Sequence, residues 1–237
     1  MYKDFIEDRI NVFLEEFEKL IIKENIPITD FLYKECDYKL DNTLPEIDDS
    51  FTLFTPYINR WGGKKDKHAW FYNEIEVPAH WDGEIQLAVA SDARLGWCDI
   101  NPQFIAYVDG KLQQGIDKNH REVFLTKGTH KVYLYAYSGS IHDEYVDFVT
   151  NLQLIDAKTK QLYYDIKVPF EILAFEDENS RNYFEIKKYL NNALNFIDMR
   201  SPYSEEYYAS LDKAIDYLKT EFYGKYCHKG DVFAFCI

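Results

Sequence analysis

Asp117, Lys118, His120, Arg121 and Glu122 crowd into one short run, IDKNHREV, of this 237-residue chain. Carboxylates accept hydrogen bonds, guanidinium and ammonium groups donate them, and an imidazole can do either, so such a bend can grip a hydroxyl-bearing ligand. It can equally be a surface bend whose groups satisfy one another. Asp117, His120 and Arg121 are therefore candidate contact residues. Trp61, in NRWGGKKDK beside two glycines and a basic cluster, is a fourth. An indole face stacks on the C–H surface of a sugar as readily as it fills a core, and core or inter-domain packing is the alternative for it as for Trp70, Trp81 and Trp97. His80 and Asp82 spell HxD, but PAHWDG reads as a turn between strands, with no second histidine and no following helix. No GxSxG, no Cys/His pair with supporting context and no glycine-rich phosphate loop is present. Adjacent acids such as Asp48 with Asp49, or Glu205 with Glu206, read as solvated surface. The expectation is no catalytic residue and no metal site in this sequence.

The elements that position the bend follow from periodicity. In FIAYVDGKLQQGI two β-rich runs flank Asp109 and Gly110, the strongest local hairpin signal, because both turn positions need φ > 0. Phe104, Ala106 and Val108 then share one face, and Ile105 and Tyr107 the other. Around this hairpin, from Phe51 to Ile172, short β-branched and aromatic runs recur between turn residues: FTLF, HAWFYNEIEV, EIQLAVA, REVFL, HKVYLYAY and LQLID. That rhythm predicts a mainly β fold, a jelly-roll-like β-sandwich, over 27–172. In KVYLYAY the tyrosines Tyr133, Tyr135 and Tyr137 share one face, either as a sugar-stacking platform or, more plainly, buried against a second layer.

Helices flank the β region. Apolar residues at Ile6, Ile10, Phe13, Phe17, Leu20 and Ile21 predict an amphipathic docking helix within 1–26, stopped by Pro27. After Pro169 the stripes Tyr183, Ile186, Leu190, Leu194, Ile197 and Tyr208, Leu211, Ile215, Leu218, Phe222 predict a helical hairpin within 173–229. Ser201 with Pro202 would open its second helix and Gly224 would end it. The segment 230–237, GDVFAFCI, reads as a fully buried strand of the parallel-sheet type, the first strand of a β/α barrel that this sequence does not include.

With 27 basic against 41 acidic residues and a net charge of −14, nucleic acid and anionic membrane are poor partners. No apolar run approaches the roughly twenty residues of a membrane span, and the charged start MYKDFIEDRINVF does not read as a signal peptide. Cys36, Cys98, Cys227 and Cys236 show neither CxxC nor zinc-finger spacing, so reduced thiols and a cytoplasmic setting are expected. The amphipathic stripes at Ile6 to Ile21 and Tyr208 to Phe222 are where self-association into a homo-oligomer would arise.

Three blocks, HAWFYNEIEVPAHWDGEIQL (68–87), YVDGKLQQGIDKNHREV (107–123) and GDVFAFCI, together resemble the N-terminal region of family 38 α-mannosidases of the cytosolic and vacuolar type, which also has bacterial members. The resemblance spans most of the β region and the last strand, in order and spacing. It implies a retaining exo-glycosidase that removes terminal α-linked mannose, with zinc held by His and Asp side chains and one zinc-bound carboxylate acting as nucleophile. That apparatus would begin after Ile237 with a GHxHxDxAW motif. This segment would then be inactive alone, hold no cofactor, and partner its own catalytic barrel, with Asp117, His120 and Arg121 reaching over the substrate mouth or toward a neighbouring subunit. The alternative is an independent carbohydrate-binding module with no attached enzyme and a mannose-containing glycan as its ligand.

Overall fold

The computed structural model describes residues 5–38, 43–56, 58–91, 102–140, 143 and 145–226. The chain divides into two compact units, a β unit of Lys23–Ile155 and a helical unit that joins Met1–Ile22 to Asp156–Ile237. In order the elements are α1 (Phe5–Glu18), β1 (Ile22–Pro27), β2 (Phe31–Cys36), β3 (Thr52–Phe54), β4 (Trp61–Gly62), β5 (His68–Val77), β6 (Glu84–Ser91), β7 (Gln103–Val108), β8 (Lys111–Ile116), β9 (Glu122–Leu125), β10 (Gly128–Tyr137), β11 (Tyr145–Val146), β12 (Phe148–Ile155), α2 (Ala157–Ile172), α3 (Arg181–Leu194) and α4 (Glu205–Tyr217).

The β unit holds a four-stranded sheet, β1-β12-β6-β9, a six-stranded sheet, β3-β2-β5-β10-β7-β8, and a small pair of β11 with β4. The central ladders are antiparallel: β5 runs beside β10 from Val77 opposite Gly128 to His68 opposite Tyr137, and β6 beside β12 from Glu84 opposite Ile155. Alternation along these strands sends one side chain in two into an apolar core that both large sheets share. Phe148 of β12 sits at its centre. Its ring lies 5.8 Å from Phe31, 5.7 Å from Phe54, 4.9 Å from Phe71 and 5.1 Å from Phe104, all on the six-stranded side. Each buried ring of this kind contributes about 1.5–3 kcal/mol through burial, and each edge-on or stacked pair about 0.5–1.5 kcal/mol more.

The β7–β8 hairpin forms as its turn residues predict. Asp109 and Gly110 take φ of 50° and 80°, and Phe104, Ala106 and Val108 face the core. The Asp109 carboxylate fastens the turn to β10, accepting from the Lys131 N–H at 2.9 Å and lying 2.7 Å from His130 Nδ1.

The helical unit closes around Ile10, Leu14 and Phe17 of α1, Leu162, Tyr163 and Ile166 of α2, and the apolar faces of α3 and α4. Asp156, Ser180 and Ser204 cap α2, α3 and α4 by accepting from the N–H of Thr159, Tyr183 and Tyr207. Lys187 is buried among these helices, with Nζ 2.9 Å from Glu7 Oε1 and 4.6 Å from the Tyr183 ring centroid.

Several sequence expectations are corrected. The first helix ends at Glu18, and β-branched Ile22 and Ile26 fall in strand β1, not in a helix reaching 26. The β region ends at Ile155, because Asp156 caps a helix, α2, that fills 157–172. Pro169 lies inside α2 instead of preceding the helices. Its missing N–H leaves the Asp165 carbonyl without its usual partner, and the Tyr223 hydroxyl donates to that oxygen at 2.9 Å. The helical hairpin of 173–229 is therefore half of a four-helix unit. Ser204, and not Ser201, caps α4. Gly224 does not end the last helix: a π-helical turn, Leu218–Tyr223, runs through it to Tyr226. Its need is steric, since a Cβ there would meet the Lys219 carbonyl oxygen at 2.8 Å. The expected strand at 230–237 lies outside the described residues.

Candidate functional site

The polar bend exists because the chain must change sheets. Strand β8 is the edge of the six-stranded sheet and β9 the edge of the four-stranded one, so residues 117–121 cross between them. Asp117 makes the crossing tight. Its Oδ1 accepts from the N–H of Asn119 at 2.7 Å and of His120 at 2.8 Å, while its own N–H donates to the His120 carbonyl at 3.0 Å. The same Oδ1 lies 3.1 Å from His120 Nδ1. These donors, led by the Asn119 N–H, hold the Asp117 carboxyl below the usual carboxylate range. Arg121 points its guanidinium back onto the loop, Nε donating to the Lys118 carbonyl at 2.8 Å, and its carbonyl accepts from the Val89 N–H of β6 at 2.7 Å. The bend is thus preformed, yet the His120 side chain stays 66% exposed.

Asp117 and His120 line a groove of about 940 Å³ on the outer side of the six-stranded sheet. Its opposite wall is aromatic. His68, the first residue of β5, lies across the ladder from Tyr137, with ring centroids 5.0 Å apart and planes at 25°. Its ring also stacks on Tyr135 at 5.5 Å and 11°, and Tyr38 flanks it at 5.4 Å. His68 Nδ1 is 3.0 Å from the Tyr135 hydroxyl, and the Tyr137 hydroxyl donates to Asp66 Oδ1 at 2.6 Å. Burial pushes the His68 imidazole below its ordinary range, with Asp66 pulling the other way. The Tyr137 phenol is held above its ordinary range, first by the Asp66 carboxylate. Cys36, Asp37, Lys67, residues 103–105 of β7 and Gly115 and Ile116 of β8 complete the lining.

Of the four predicted site residues, the structure brings Asp117 and His120 together in this groove; Arg121 shares their bend but does not line it. Trp61 is not an exposed platform. It is 2% exposed in the shared β core, its ring edge-on to Phe71 at 5.6 Å, because β4 pairs with β11 and turns the indole inward. Trp70 and Trp81 are buried as well, and Trp97 lies outside the described residues. The tyrosine stripe divides. Tyr133 and Tyr135 pack with Phe51, Trp70 and Tyr107 beneath Leu44 and Ile47, while Tyr137, at the strand end, borders the groove together with Tyr135. Sequence reasoning missed His68, Asp66 and Tyr38. The alternation of HAWFYNEIEV does place His68 on the same outward face as Trp70, and pairing that face with the tyrosine stripe would have located the wall.

His80 and Asp82 behave as a turn: His80 Nε2 lies 3.7 Å from Glu24 Oε2, and Asp82 takes the Lys127 ammonium at 3.1 Å. Among the described residues no group of three or more His, Cys, Asp or Glu side chains is arranged to hold a metal ion. Among them, too, no helix is long and apolar enough to cross a membrane. Searched against protein-family models and curated proteins, the chain matches none.

Proposed function

We propose that this chain is the non-catalytic N-terminal portion of a cytoplasmic α-mannosidase, and that its polar bend and groove shape the entrance to a catalytic barrel or to a neighbouring subunit. The observation that carries this reading is the convergence of two separate blocks of the resemblance. The first block, 68–87, supplies His68, the second, 107–123, supplies Asp117 and His120, and all three line one groove. Residues 49 and 52 positions apart need not meet; the antiparallel ladders β5–β10, β10–β7 and β7–β8 are what bring His68 to Asp117 and His120. The finer architecture goes with the reading: two sheets sharing one core as a jelly-roll sandwich, preceding a barrel that holds the zinc. In the intact enzyme that metal would orient the sugar and spread charge, a second carboxylic acid would protonate the leaving oxygen, and this segment would supply neither. Fold does not fix function, and the role rests on the resemblance together with the site.

The test has two parts. The reading frame beyond the codon for Ile237 should continue into Gly-His with a second His and an Asp close behind. The whole gene product should release the aryl group from an aryl α-mannoside and lose that activity to a chelator, while residues 1–237 alone show none. A stop codon after Ile237, or a full product inert on α-mannosides with zinc supplied, would rule the reading out.

A further inference from the structure

We propose that the groove itself is a binding site for a neutral hexopyranose, able to hold a sugar in the absence of any catalytic domain. A pyranose offers an apolar C–H face and a rim of hydroxyls, and the groove offers a counterpart to each. Tyr137, Tyr38 and His68 present aromatic surface on one side, and Asp117 and His120 present an acceptor and a ring nitrogen on the other. The three contacts that the Asp117 carboxylate makes within the bend fall on Oδ1, and Oδ2 has capacity to accept from a hydroxyl. The bend is held by its own backbone bonds before any ligand arrives, which lowers the ordering cost of binding. Its volume lies near the top of the range of about 300–1,000 Å³ for small-molecule sites, room for more than one ring.

Charge narrows the class. Asp37, Asp66 and Asp117 border the groove against Lys67, in a chain of net charge −14, and this acidic balance disfavours phosphorylated or carboxylated sugars. A cage for an organic cation needs aromatic faces converging on one point. Here His68 lies nearly parallel to Tyr135 and Tyr137, at 11° and 25°, so the three rings do not converge on one point. The site stands independently of the mannosidase reading, because every residue in it belongs to this chain.

Titrating residues 1–237 with methyl α-mannopyranoside and with an α-linked mannobiose, by calorimetry or saturation-transfer NMR, tests it. Saturable binding is expected with a Kd on the order of 1 mM or tighter. Tyr137→Ala should weaken it about tenfold, and Asp117→Asn several-fold. Should Tyr137→Ala fail to fold, Tyr38→Ala serves in its place, since Tyr38 is 64% exposed. No saturation with either mannoside, or with glucose and galactose as further neutral probes, overturns the proposal. So does mannoside binding that survives both tyrosine variants unchanged, or binding of tetramethylammonium in place of sugar. A null result here leaves the downstream zinc motif to be tested on its own, and a missing motif leaves this site standing.

Discussion

Asp117 Oδ1 lies 2.8 Å from the backbone nitrogen of His120 and 3.1 Å from its ring Nδ1, so one carboxylate oxygen sets both the turn and the position of the imidazole it presents. Replacing Asp117 by Ala removes the acceptor for two backbone N–H groups. By analogy with helix N-caps, a loss of about 1 kcal/mol is expected, read from the midpoint of a urea titration. The pH dependence has a definite sign. Because the folded-state carboxyl is held below its ordinary range, its contribution is present above that range and fades as pH falls through the depressed value. Asp117→Ala should flatten the acid limb of the stability profile; an unchanged limb would mean that the turn does not depend on this carboxylate.

Trp61 gives a prediction of the opposite kind. Buried at 2% exposure against Phe71, it should cost about 3–5 kcal/mol when replaced by Ala. Trp61→Phe should cost much less, since the buried indole Nε1 has no hydrogen-bond partner among the described residues. Chemical denaturation of the two variants decides this. A mild Trp61→Ala phenotype would return the residue to the surface.

The buried ammonium of Lys187 is compensated by Glu7, whose side chain is one-third exposed. Burial pushes the Lys187 ammonium below its ordinary range. Removing only the carboxylate, by Glu7→Ala, should destabilise the helical unit by about 2 kcal/mol, less than the 3–5 of a fully dry pair. Lys187→Met in the Glu7→Ala background should recover much of that loss. Absence of recovery would assign the cost to the Tyr183 hydroxyl, which also donates to Glu7.

The parts of this molecule that were legible in its sequence are those whose causes are local. The Asp109-Gly110 turn needs two positive φ angles, and the residue types declare it. The strands His68–Val77 and Gly128–Tyr137 follow from alternation, and α3 and α4 from their stripes. Strand β1 was hidden because IKENIP has no two-residue rhythm and continues a helical stripe. Helix α2 was hidden because Pro169 sits inside it, a breaker neutralised by a hydroxyl more than fifty positions away. The bend at 117–121 was found and half of its groove was not. Tyr38, Asp66, His68 and Tyr137 meet only through the order β2-β5-β10-β7, and strand order is a long-range property that no single stretch records.

The central claim is that the bend and groove serve a sugar-facing surface of a larger enzyme, and steady-state kinetics of the intact gene product test it most directly. With His120→Ala and Arg121→Ala combined, KM for an α-linked mannobiose should rise about tenfold while kcat holds, as when binding shared by ground and transition states is lost. Unchanged kcat, KM and subunit assembly in that variant would contradict the account and leave the bend a device of folding alone.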